Sequence, residues 1–223
     1  MKIPLLEIAI FNIESASIAQ KNGADRIELC ANMKEGGISP PFAWVILAKQ
    51  LNMNIHIMVR PRPGNFAYNT DEFRKMKEEI LSGKEQKADG FVFGILNAHN
   101  KIDELRNKEL VELAAPLPCT FHRAFDELEN KPAALETLIS CGFKRVLTSG
   151  GKGKAVDHYS EFSRLISLSA NRIIVMPGGG IRSANIKQLL QTGATEFHSA
   201  AITGNAEIAD GEEIKKIKIA LQS

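Results

Sequence analysis

Ile-Ile-Val-Met-Pro-Gly-Gly-Gly-Ile, residues 173–181, is the stretch on which the fold turns. A β-branched run stops at Pro177 and three glycines, and the chain resumes as Arg-Ser-Ala-Asn-Ile-Lys-Gln-Leu-Leu, residues 182–190. This reads as a buried strand, a tight loop and an amphipathic helix. Gly178, Gly179 and Gly180 have no side chains, so their backbone N–H groups can come close to a bound anion. Soon afterwards Glu-Phe-His-Ser-Ala-Ala, residues 196–201, reads as a second strand ending in small residues. Two such strand ends side by side are typical of the late βα loops of a (β/α)8 barrel, which often hold a phosphate. A barrel requires six more units upstream.

The chain supplies them. Strands are expected over Leu5–Phe11, Asp25–Cys30, Asn54–Arg60, Gly90–Leu96, Pro118–His122 and Arg145–Ser149, with Glu196–Ala200 as the eighth. Helices are expected over Ile13–Asn22, Phe42–Leu51, Asp71–Gly83, Asp103–Ala115, Lys131–Cys141, Tyr159–Ala170, Asn185–Thr192 and Gly211–Leu221. Gly23, Gly142 and Gly193 stand where helices should stop, and Thr70 is a candidate N-cap. No linker or shift of composition divides the chain. The economical fold is therefore one (β/α)8 TIM barrel over residues 1–223, with an open doubly wound sheet as the alternative.

Alternation along each strand sorts residues into a helix side and a barrel side. Leu6, Ile8 and Ile10 oppose Glu7; Ile27 and Leu29 oppose Arg26, Glu28 and Cys30; Ile55 and Ile57 oppose His56, Met58 and Arg60. Cys119 and Phe121 oppose Thr120 and His122, and Phe197 opposes His198. The apolar faces must pack on helices, so the barrel interior is expected to be polar. Buried charge needs partners, and an ion-pair network among Glu7, Glu28 and Arg60 is the structural expectation for the lower layers. Residues at the C-terminal strand ends, where barrels of this type place their sites, are the functional candidates.

Composition narrows the partners. A net charge of +2 over 223 residues, with Lys and Arg dispersed and few aromatics between them, gives no nucleic-acid surface. No apolar run is long enough for a bilayer, and the opening Met-Lys-Ile-Pro-Leu-Leu-Glu lacks a leader-like apolar core. Cys30, Cys119 and Cys141 are widely spaced, with no CxxC, which fits a reducing cytoplasm.

Thr-Phe-His-Arg-Ala-Phe-Asp, residues 120–126, converges an imidazole, a guanidinium and a carboxylate on one strand end. His122, Arg123 and Asp126, with inward-facing Glu28, are the candidate catalytic groups, because imidazole and carboxyl side chains exchange protons near neutrality. The bland alternative is a structural Arg123–Asp126 pair beside a core histidine. Arg60 and Arg62, on a proline-stiffened turn, are candidate anion clamps. Thr148, Ser149, Gly150, Gly178–Gly180, His198 and Ser199 complete a candidate small-anion pocket. Cys30, His56, Met58, Met176 and His198 are soft or borderline metal donors. No two have a recognised ligand spacing, and only Cys30 is an inward-facing cysteine.

Several stretches together resemble the CutC copper-homeostasis family. They are Gly-Ala-Asp-Arg-Ile-Glu-Leu-Cys (23–30), Glu-Gly-Gly (35–37), Val-Arg-Pro-Arg (59–62), Asp-Gly-Phe-Val-Phe-Gly-Ile-Leu (89–96) and Thr-Phe-His-Arg-Ala-Phe-Asp (120–126). Leu-Thr-Ser-Gly-Gly (147–151), Met-Pro-Gly-Gly-Gly-Ile (176–181) and Phe-His-Ser (197–199) continue the pattern in order. The resemblance implies a cytoplasmic (β/α)8 barrel, commonly a homodimer, tied to copper tolerance or copper binding, with Cys30 the cysteine to carry over as a Cu(I) ligand. Two functions are thus expected: a copper-homeostasis protein binding Cu(I), or an enzyme acting on a small phosphorylated or carboxylated metabolite.

Overall fold

The computed structural model describes residues 3–222. Eight strands run β1 (Leu5–Ile10), β2 (Arg26–Leu29), β3 (Asn54–Met58), β4 (Gly90–Phe93), β5 (Cys119–Phe121), β6 (Arg145–Thr148), β7 (Ile174–Pro177) and β8 (Glu196–Ser199). Helices α1 (Ile13–Lys21), α2 (Phe42–Lys49), α3 (Thr70–Glu85), α4 (Glu104–Ala114), α5 (Lys131–Ser140), α6 (Tyr159–Ser169), α7 (Ile186–Leu190) and α8 (Gly211–Gln222) alternate with them. Every pairing is parallel, in the order β7-β6-β5-β4-β3-β2-β1-β8. A parallel bridge between Gly178 and His198 closes the ring. The result is a (β/α)8 barrel. Each parallel neighbour needs a crossover, and a helix long enough to return the chain also covers the strand's apolar face.

That face carries the core. Leu6, Ile8, Ile27, Leu29, Ile55, Phe91, Phe121 and Phe197 are wholly buried against Ala16, Ala48, Met76, Ile80, Leu110, Leu138, Leu165 and Ile214 of the helices. Burying each large apolar side chain contributes about 1.5–3 kcal/mol, so this shell dominates stability. Cys119 lies in the same shell, whereas Cys30 packs with Met58, Val92 and Phe11 inside the barrel.

Local signals mostly set the element ends, with two differences. Asn69, not Thr70, caps α3: its side chain accepts from the Glu72 N–H while Glu72 reaches back to the Asn69 N–H. This reciprocal pair satisfies two amides that a lone Thr70 hydroxyl would leave open. Helix α7 has five residues, shorter than expected: residues 191–193 form a turn behind it, and ahead of it the Asn185 side chain accepts from the Arg182 N–H.

The interior network also differs from expectation. Register places Glu7 directly opposite Arg26. Glu7 Oε2 accepts from Arg26 Nε at 2.5 Å, Arg26 Nη2 donates to Glu196 Oε2 at 2.5 Å, and Arg145 Nε reaches the same oxygen at 3.1 Å. Arg60 takes no part. It lies past the end of β3, and its guanidinium donates to the carbonyls of Glu35, Gly37 and Gly64. The barrel floor is therefore a Glu7–Arg26–Glu196–Arg145 chain, neutral in sum.

Candidate functional site

Above that floor a cavity of about 440 Å³ opens at the C-terminal end of the barrel. Glu28 comes up from β2, His198 and Ser199 from the end of β8, and His122, Arg123 and Asp126 from the end of β5. Arg60, Gly179 and Gly180 complete the expected set in the wall. Arg182, Glu35 and Phe66 line it as well. Those three escaped the sequence reading. Arg182 follows the triple glycine directly, a position that could have been noticed; Phe66 sits in an irregular loop with no periodic signal.

Glu28 and His198 form the chemical centre. His198 Nδ1 donates to Glu7 Oε1 at 2.7 Å, and its Nε2 lies 3.7 Å from Glu28 Oε2. Glu28 Oε1 is buried and has no hydrogen-bond partner. Burial pushes the Glu28 carboxyl up; His198 and Arg26 oppose this and Glu7 adds to it, leaving the group at about 7. For His198, burial opposes protonation, but Glu28 and Glu7 outweigh it and hold the imidazole above its ordinary value. Burial acts to raise Glu7 too, but Arg26, His198 and His56 keep it well below the usual carboxylate range. Glu7 is thus the fixed anion that orients His198, and Glu28 is the group poised to exchange a proton near neutrality.

His122 is held differently. Its Nδ1 accepts from the Ala124 N–H at 3.3 Å, which leaves the ring proton on Nε2, and that atom has no partner. Burial, then the neighbouring Arg60 guanidinium, lowers this imidazole to about 3, so it is neutral at working pH. The ring packs on Phe66 at 4.7 Å between centroids, and Arg60 lies over the other ring's face at 5.0 Å. Gly94 makes the room: a Cβ there would lie 2.7 Å from His122 Nδ1.

Asp126 ties two loops together. It accepts from Thr148 Oγ1 at 2.5 Å, from Ser149 Oγ at 2.8 Å, from the Ser149 N–H at 3.1 Å and from Arg123 Nε at 2.8 Å. The bland Arg123–Asp126 pair is therefore present, and it leaves Arg123, with its side chain 48% exposed, projecting at the mouth. Thr148, Ser149, Gly150 and Gly178 do not line the cavity. Their groups serve this latch and the closing bridge: the Gly150 N–H donates to Thr148 Oγ1, and the Gly178 N–H to the Thr148 carbonyl. Gly179 has φ +103°, and a Cβ there would sit 3.1 Å from Ser149 Cβ, so the backbone itself forms the wall. Arg62 also stays outside, bound to Glu72 at 2.6 Å and stacked over Tyr68.

The sequence profile of the CutC family matches residues 4–203. The chain belongs to the CutC family. The human copper homeostasis protein cutC homolog is 44% identical over 199 residues, spanning 88% of this chain and 73% of that protein. A CutC family protein of Mesorhizobium japonicum is 42% identical over 203 residues, 90% of this chain and 79% of its own length. The solved structure of CutC from Streptococcus agalactiae superposes with a TM-score of 0.84 at 32% identity, covering 90% of this chain and all of that one.

The copper in those names can be tested against the donors of this CutC-family barrel. Glu7, Glu28 and His198 place one ligand atom each within 4.8 Å of one another. Two carboxylates and an imidazole are a poor match for Cu(I), which selects thiolate and thioether donors. Both Glu7 oxygens are also already engaged, by Arg26 and His198. Cys30 stands outside this group. Its thiol donates to the Ile10 carbonyl at 3.3 Å, and burial, then Glu28 and Glu7, push it well above the ordinary thiol value. The acidic group does not fit Cu(I); the soft donors near the cavity are the sulfurs of Cys30 and Met58, which pack in one cluster inside the barrel.

Proposed function

We propose that this chain serves copper homeostasis, as its relatives are named for, by handling a small phosphorylated or carboxylated molecule in the barrel's mouth. One observation carries the reading: a buried, partnerless Glu28 oxygen beside His198, in a cavity lined by Arg60, Arg123 and Arg182 as well as by Glu35, Asp126 and Glu127. A proton-exchanging pair with guanidinium groups in the same wall suits an anionic ligand that reacts, rather than a stored ion. His122, Arg123, Asp126 and Glu28 are the proposed catalytic set, with Asp126 acting through Arg123. Arg60, Gly179, Gly180, His198 and Ser199 are the proposed binding wall.

The test is a thermal-stabilisation screen of small phosphorylated and carboxylated compounds, run on the wild type and on Arg123→Ala. Stabilisation that weakens in the variant supports the reading; a screen in which no anion stabilises the wild type sinks it.

A second reading, Cu(I) held by Cys30, rests on the packing of Cys30 against Met58 in the barrel interior. Titration of Cu(I) against a competing chelator separates the two. Tight stoichiometric binding lost in Cys30→Ser establishes the metal reading, and weak binding unchanged by that substitution removes it. The proposed compartment is the cytoplasm, supported by three free, buried cysteines. The proposed assembly is a homodimer, supported by Phe42, Ile46 and Leu47, all exposed on α2.

A further inference from the structure

We propose that the cavity acts on a small anionic carbonyl compound, Glu28 taking a proton from the carbon beside the carbonyl while His122 Nε2–H holds the carbonyl oxygen. This rests on the anion-binding reading above and names its chemistry.

Two of the three unpartnered polar atoms on residues of one cavity wall lead to it; the third, Arg60 Nε, belongs to a guanidinium already held by three loop carbonyls. Glu28 Oε1 is an acceptor without a donor, and His122 Nε2 is a donor without an acceptor, on side chains at most 3% exposed. Buried polar groups are nearly always paired, so an orphan of each kind in one pocket asks for a ligand that supplies the complements of both. A C–H next to a carbonyl does so: the acidic hydrogen meets the carboxylate and the oxygen meets the N–H.

The tautomer decides the direction of the second contact. With Nδ1 occupied by the Ala124 N–H, His122 presents only a donor, and burial beside Arg60 keeps the ring neutral. A neutral imidazole N–H stabilises a developing oxyanion without having lost its proton beforehand. Glu28 Oε1 is free to receive the proton, and His198, anchored on Glu7, lies 3.7 Å from the other oxygen of the same carboxylate.

The same geometry disfavours hydroxyl nucleophiles. Thr148 Oγ1 donates to Asp126, Ser149 Oγ to Asp126 or the Gly151 carbonyl, and Ser199 Oγ to the Ile181 carbonyl. Each hydroxyl proton is committed to a fixed acceptor, so these three side chains tie loops together rather than standing free to attack a ligand.

The step balances. The C–H bond breaks, its proton passes to Glu28 Oε1, the electron pair becomes the C=C bond of an enolate, and the carbonyl oxygen takes the charge beside His122 Nε2–H. Return of a proton to the same carbon, after the one on Glu28 has exchanged with solvent, completes a hydrogen exchange, with no oxidant or reductant required.

The experiment is deuterium incorporation in D2O, followed by proton NMR, with dihydroxyacetone phosphate, glyceraldehyde 3-phosphate, pyruvate and oxaloacetate as probes. Affinity for 2-phosphoglycolate, which lacks the enolisable carbonyl, is measured alongside. Expected is enzyme-dependent loss of a C–H signal, abolished in Glu28→Gln and slowed on the order of 10²-fold in His122→Phe, while both variants keep 2-phosphoglycolate affinity within about threefold. Circular dichroism and the retained affinity guard against misfolding. Binding of 2-phosphoglycolate with no exchange in any probe overturns the carbonyl chemistry and leaves the anion reading standing. Absence of both overturns the two together, and exchange that survives in Glu28→Gln removes Glu28 from the role.

Discussion

Replacing Glu28 by Gln keeps the shape of the side chain and removes its titration, so the variant isolates what burying this carboxyl costs. In the folded chain the group sits at about 7 against an ordinary 4.5. A folded value above the unfolded one means that the folded state binds more protons between those limits, so stability falls as pH rises through that window. At about 1.4 kcal/mol per pH unit, the burden on the wild type reaches about 3 kcal/mol above pH 7. Attraction to His198 is already included in that balance, so the variant is expected to gain about 3 kcal/mol at pH 8. Below pH 4.5 both side chains are neutral and the two proteins should agree. The assay is urea unfolding of both proteins at pH 4.5, 6 and 8. Glu28→Gln is expected to equal the wild type at pH 4.5 and to exceed it at pH 8. A variant less stable than the wild type by more than about 1 kcal/mol at pH 8 would refute the reasoning, since Glu28 would then be a stabilising anion in a satisfied network.

Glu7 is expected to behave in the opposite way: Glu7→Gln leaves Glu196 as the one carboxylate bound to both Arg26 and Arg145 on the barrel floor and should cost about 3–5 kcal/mol in the same unfolding assay. Gly94→Ala sets a methyl 2.7 Å from His122 Nδ1. It should cost about 1–3 kcal/mol and shift the His122 ring resonances in NMR, whereas unchanged resonances would show that the pocket yields elsewhere. Asp126→Ala releases Arg123, Thr148 and Ser149 at once, and 2-phosphoglycolate affinity measured by calorimetry should fall on the order of tenfold, about 1.4 kcal/mol. The five hydrogen bonds of Arg62, to the Glu72 carboxylate, the carbonyls of Pro63, Asn65 and Ala67 and the Asn65 side chain, lie outside the cavity, so Arg62→Lys should leave that affinity unchanged.

Much of the site was legible because strand parity is strict. Once residues 55 and 57 are assigned to the helix side, His56 and Met58 must face inward, and the same logic delivered Glu7, Glu28, His122 and His198. Pairing was less accessible, because it depends on register between strands distant in sequence. Arg26 stood on the inward face of its strand, but its role as the partner of Glu7 and Glu196, 19 and 170 residues away, appears only when the strands are laid side by side. Arg60 shows the same limit from the other direction. Its parity is inward, yet it lies beyond the ladder, where three loop carbonyls claim it. The hydroxyls of Thr148 and Ser149 looked available to a ligand; whether Asp126 takes them is decided by how two loops meet.

By itself the sequence determined the eightfold strand–helix alternation, the apolar shell and the polar interior, because these follow from local periodicity and the burial of apolar surface. It also determined the family, through motifs spread from the second strand to the eighth. Tertiary structure alone decided which polar groups are satisfied and which are left over. A carboxylate, an imidazole and a guanidinium carry no label of partner in the chain; their protonation is set by burial and by charges a few ångströms away in space. Glu7 and Glu28 are the same residue on neighbouring strands. Contact with Arg26 holds one ionised, and its absence leaves the other to exchange a proton near neutral pH.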